Sequence, residues 1–194
     1  MSTTIKDGSS GFVAKVDEQL QLHVLAVNKS AEHDASERNS FTFFANTTDT
    51  ANTLTATATG GAMLYVENTS GTQQLVIEKV LTSADTADGV VVWKRNNVVG
   101  TIGNNNTHAP VNLNFRSNVA APVTCYNWDE VGDGMTGLSG GTTMKSFITG
   151  AGFTVHPIDG SIILGQGNSL TIEYKVAGGG EFECGIRMYF EALV

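Results

Sequence analysis

Ser139 sits between Gly137 and Gly141 in the spacing G-x-S-x-G, with His156 and Asp159 downstream. Those types could attack an acyl carbon, the serine as nucleophile and the histidine as its base, if a strand-to-helix elbow strained and exposed the hydroxyl. The order argues against it. His156 precedes Asp159 within one short stretch containing Pro157, and no helical pattern follows Ser139, so the group reads as a turn around a proline.

Gly132, Gly134 and Gly137 match G-x-G-x-x-G behind a strand-like run at 123–128. A pyrophosphate needs the N-terminus of a long helix after those glycines. Here the chain continues Leu138-Ser139-Gly140-Gly141-Thr142-Thr143, which opens no such helix, and a glycine-rich loop is expected. Asp129, Glu130 and Asp133 form the densest carboxylate group. Ca²⁺ takes about six to eight oxygens, and the spacing of a calcium-binding loop is missing, so a solvated acidic loop is expected and no metal ligand is assigned. His23, His33, His108 and His156 lack the spacing of a zinc site. Trp93, Trp128, Tyr126, Tyr189 and Phe190 could line a sugar-binding face, but in strands such residues more often pack in a core. No catalytic residue, cofactor or metal is therefore expected, and the chain reads as a non-enzyme.

The elements that would position these residues follow from composition and periodicity. The chain has 194 residues, of which 41% are hydrophobic and 15% charged, with 19 acidic side chains against 11 basic and a net charge of −8. Disorder is disfavoured by the ordinary apolar content, and a phosphate-binding surface by the scarcity of Lys and Arg. Residues 1–10 carry no apolar signal-like region and no stretch is long and apolar enough to cross a bilayer, so neither export nor a membrane is expected. The sequons at Asn28, Asn46, Asn68 and Asn105 read as chance in an Asn/Thr-rich chain, and Cys125 and Cys184 as buried thiols in strands.

Period two dominates. Leu20, Leu22, Val24 and Ala26 alternate with Gln19, Gln21, His23 and Leu25, and strand-like runs follow at 41–44, 62–68, 74–81, 89–94, 111–115, 123–128, 147–153, 169–176 and 181–192. Clusters of Gly, Asn, Asp, Ser and Thr separate them, as tight turns require. The best helix candidate, 31–38, is short and polar all round. The expected class is all-β, an antiparallel jelly-roll-like β-sandwich over residues 41–194 with an extended N-terminal arm over 1–40.

Residues 12–27 read as a strand pair with little polar cover, set apart by the polar stretch 28–40. An arm of that kind adds to a neighbour's sheet edge, and about 20 extended residues reach roughly 65 Å. Its candidate partner-binding residues are Phe12, Val13, Val16, Leu20, Leu22 and Val24.

Asp7-Gly8-Ser9-Ser10-Gly11-Phe12-Val13-Ala14-Lys15-Val16-Asp17, then Leu22-His23-Val24-Leu25-Ala26-Val27, resembles the N-terminal part of structural proteins of tailed-bacteriophage virions. Ala62-Met63-Leu64-Tyr65-Val66-Glu67-Asn68 and Leu75-Val76-Ile77-Glu78 look like the first strands of that group's β-domain, so the resemblance runs over residues 1–80. It implies a capsid decoration, or cement, protein, assembled in the host cytoplasm and resident on the virion, with the major capsid protein and copies of itself, as a homotrimer, for partners. No nucleic acid and no membrane enter that picture. A tail, baseplate or head-fibre component is the nearest alternative, and a lectin-like module using Trp93 or Trp128 with Asp129 and Asp133 is the alternative from another class.

Overall fold

The computed structural model describes residues 3–6, 13–16, 22–24, 42–46, 52–54, 61–95, 98–115, 117–129, 131–177 and 180–192. The chain divides into two compact units, Met1–His33 and Asp34–Val194.

The first unit contains β1 (Thr3–Lys6), β2 (Val13–Val16) and β3 (Leu22–Val24), an antiparallel sheet in the order β1-β2-β3. β2 and β3 fall within the 12–27 segment, and β1 precedes them. Ile5 registers with Ala14, Ala14 with Val24, and Val16 with Leu22.

The second unit is all-β, with no helix among its described residues. Its strands are β4 (Thr42–Asn46), β5 (Asn52–Leu54), β6 (Gly61–Asn68), β7 (Gln73–Ala84), β8 (Val90–Arg95), β9 (Val98–Gly103), β10 (Asn105–Thr107), β11 (Val111–Asn112), β12 (Val123–Trp128), β13 (Thr136–Leu138), β14 (Thr142–Ile148), β15 (Gly152–Leu164), β16 (Ser169–Lys175) and β17 (Gly180–Ala192). One six-stranded sheet runs β10-β12-β6-β16-β8-β14; the other runs β11-β4-β17-β7-β15, with β5 also on β17. All the pairings are antiparallel.

With β4, β6, β7, β8, β14, β15, β16 and β17 taken as first to eighth, the sheets read second-seventh-fourth-fifth and first-eighth-third-sixth. That order fits the two-sheet jelly roll expected from the sequence. The chain between β8 and β14 is an insertion. Through β10 and β12 it lengthens one sheet beyond β6, and through β11 it lengthens the other beyond β4.

The alternation of apolar residues decides which side of each strand is buried. In β8, Val91 and Trp93 are buried while Val90, Val92 and Lys94 are half-buried. β6 lies inside its sheet and buries both faces, from Ala62 to Val66 without a break. Leu64, Ile172, Val91 and Trp93 of one sheet join Leu75, Ile77, Val80, Ile186, Met188 and Phe190 of the other in one hydrophobic cluster. Each fully buried Leu, Ile or Phe contributes about 1.5–3 kcal/mol. Between the sheets Tyr174 of β16 stacks on Phe182 of β17, ring centroids 4.2 Å apart and 8° from parallel. Such pairs prefer offset contact and add to what area burial supplies.

Candidate functional site

The residues with chemical spacing end up in structural roles. Gly132, Gly134 and Gly137 all have positive φ, 68°, 133° and 78°; the first two lead into β13 and Gly137 lies within it, a strand rather than a helix. Gly134 is there because the loop docks on the start of β6. The Met135 N–H donates to the Ala62 carbonyl at 3.0 Å, and a Cβ on Gly134 would lie 2.4 Å from Gly61 Cα. The Asp129 carboxylate accepts the Val131 N–H at 3.0 Å and so shapes the same loop. No group of three metal-ligating side chains occurs among the described residues.

Ser139 is exposed in the link from β13 to β14, and no strand-to-helix elbow surrounds it. His156 departs from expectation. It does not lie in a turn around Pro157 but within β15, opposite Val80, with Nε2 3.1 Å from Thr82 Oγ1. Its ring packs on Phe147 of β14 at 4.5 Å and on Trp93 of β8 at 5.7 Å, so three strands from both sheets meet there. Burial, and secondarily the charge of Lys145, hold the His156 pKa below the usual histidine value. Lys145 Nζ itself lies over the Trp93 ring, 4.8 Å from its centroid.

Both tryptophans are core residues, Trp93 at 2% and Trp128 at 1% exposure, so neither offers a ring face to a sugar. Trp128 Nε1–H donates to the Val131 carbonyl at 2.9 Å. Cys125 and Cys184 are buried and form no disulfide. Burial alone pushes the Cys125 thiol up to about 12; burial, with Cys125 and Glu183 nearby, raises Cys184 as well.

Of the proposed partner-binding residues, Val13 and Val16 fall on β2 and Leu22 and Val24 on β3. Phe12 and Leu20 lie outside the described residues, as does the helix candidate at 31–38.

A surface that the sequence reading missed lies at one side of the sandwich. The run expected as a strand at 147–153 is the junction of two, β14 ending at Ile148 and β15 beginning at Gly152. Pro157 made β15 look like a loop. It sits at the outer strand of its sheet, where a missing N–H costs no ladder bond on the open side, next to a register shift between Pro157 and Ile162. Met144, Ile148, Phe153, Val155 and Ile163, all on β14 or β15, are five of the nine large exposed apolar side chains among the described residues. Beside them Lys79, Leu81, Leu113, Phe153, Val155 and Arg187 line a shallow groove of about 420 Å³. Its two cations are held by one carboxylate, Glu78 lying 3.1 Å from Lys79 Nζ and 2.8 Å from Arg187 Nε.

No family model matches the chain, and neither a curated protein nor a solved structure matches it.

Proposed function

We propose that the chain is a non-enzymatic structural protein of a bacteriophage virion, a capsid decoration protein. In this reading the N-terminal unit binds major capsid subunits on the outer shell, and the acidic β-unit faces solvent. The observation that carries the reading is the two-part plan. Residues 1–33 form a compact unit with its own sheet, and that unit holds the Ala14-Lys15-Val16-Asp17 and Leu22-His23-Val24 segments that resemble virion proteins.

Two further features support it. The strand order of the β-unit is of a kind that recurs in viral shell proteins and in lectins, and the burial of both tryptophans weighs against the lectin. A charge of −8 on the outside of a shell keeps particles apart in solution.

Antibody labelling of purified virions tests the location: uniform decoration of the head is expected, and label confined to the tail would make the protein a tail or baseplate component. Deleting residues 1–33 tests the mode of binding. The truncated chain is expected to keep its β-sheet circular dichroism and to lose co-sedimentation with capsids, and retained binding would overturn the role of the N-terminal unit.

A further inference from the structure

Four strands end the two large sheets of the β-unit, and they are not equally protected. β10 is three residues long and β11 two, so the insertion closes one side of the sandwich with strands too short to template another chain. On the other side β14 carries Lys145 at a register shift between Thr143 and Lys145, two devices that discourage edge pairing. β15 has neither over its first half. From Gly152 to His156 it pairs with β7 on one side and has no second partner among the described residues, with Phe153 65% and Val155 45% exposed. Pro157 and the register shift after it confine the open edge to these few residues.

We infer that this edge is where two copies of the chain join, β15 pairing with β15 of a second copy across a two-fold axis. Charge and side-chain complementarity both favour a second copy. Residues 147–158 contain no Asp, Glu, Lys or Arg, so two chains of net charge −8 can approach here without setting like charges against each other. The strand also complements itself. An antiparallel pair centred on Thr154 sets Phe153 opposite Val155 of the second copy, and Val155 opposite its Phe153. Thr154 then faces Thr154, and aromatic with β-branched and Thr with Thr are favourable cross-strand pairs. Ile148, 69% exposed, ends β14 just before the turn into the open stretch of β15. Two antiparallel copies of one strand are related only by a two-fold, so this contact makes a dimer and not the homotrimer that the resemblance to virion proteins implies. The inference does not depend on the virion reading: a dimer can fail to decorate capsids, and a decoration protein can fail to dimerise.

Sedimentation equilibrium of the full chain across the micromolar range tests it. A mass of two chains is expected for the wild type; a monomer throughout, or a trimer, overturns the proposal. Val155→Lys places two like charges beside the junction at an exposed position, and a roughly hundredfold weaker dimer is expected with an unchanged melting temperature of the monomer. Adding Phe153→Glu in the same chain sets Glu opposite Lys across the proposed register and is expected to restore most of the affinity. A dimer untouched by Val155→Lys overturns the proposed edge, and a double variant as weak as the single one overturns the register.

Discussion

His156 Nε2 lies 3.1 Å from Thr82 Oγ1, next to the ring contacts that tie β15 to β8 and β14. Burial, and secondarily Lys145, favour the neutral imidazole in the fold, while the unfolded chain takes up its proton near the ordinary histidine value of 6.5. A base with a lowered folded pKa contributes stability above pH 6.5 and loses it as the pH falls through the folded value. The melting temperature should therefore decline from neutral pH toward about pH 5, and the slope should be shallower in His156→Gln, which keeps a polar partner for Thr82 without titrating.

Gly61 and Gly134 touch backbone to backbone. A Cβ on Gly61 would meet the Asp133 carbonyl oxygen at 1.7 Å, and Gly134 combines a φ of +133° with a Cβ position 2.4 Å from Gly61 Cα. Gly134→Ala should cost about 2–3 kcal/mol, read from urea unfolding. Gly140→Ala, at φ +81° with nothing within 4 Å, should cost only about 1 kcal/mol.

Asn68 is fully buried. Its Nδ2 donates to the carbonyls of Leu164 at 2.8 Å and Gln73 at 3.0 Å, and its Oδ1 accepts the Ser70 N–H at 2.9 Å. Asn68→Ala leaves buried backbone groups unpaired and should lower stability by about 3 kcal/mol. Asn68→Asp, which loses both donors and buries a charge, should be no milder, and thermal melts of the pair check this.

Trp93 and Trp128 are both buried, and Trp128 uses its indole nitrogen, donating to Val131, whereas Trp93 Nε1 has no hydrogen-bond partner among the described residues. Replacement by Phe removes similar volume at both sites, so the difference isolates the bond. Trp128→Phe should destabilise by about 1 kcal/mol more than Trp93→Phe in chemical denaturation.

Cys125 and Cys184 should resist thiol reagents in the folded protein, because both are buried and both are held protonated near neutral pH. Ellman's reagent should find no fast thiol in the native chain and two after unfolding in guanidinium. A fast native reaction would show that the sheets open around Cys125 or Cys184.

Much of this molecule was legible in its residue order. Alternation located β12 at its observed bounds and β6, β7, β8, β16 and β17 to within a few residues. The lack of a helix pattern after Ser139 and Gly137 argues against the elbow and the dinucleotide loop, and β13 and β14 occupy that stretch in the fold. The structural role of Asn68 is not legible in the residue order: its sequon reads as chance, which full burial of the side chain fits, and only the folded chain shows its amide joining the β6–β7 turn to the end of β15. β15 was missed because Pro157 punctuates a sequence but not an outer strand.

Alternation fixes the face a side chain takes, since it follows from the backbone's own period of two. It is silent about neighbours. Glu67 pairs with Ser169 across about a hundred residues of chain, and β15 is open on one side only because no described strand takes the place beside it. The amino-acid order thus determined that the protein is all-β, and it set Trp93 and Trp128 in strands, where such side chains more often pack in a core. Which edges were closed by β10 and β11, and which was left open at Phe153 and Val155, was decided by long-range packing, because an edge is a relation among strands and not a property of one.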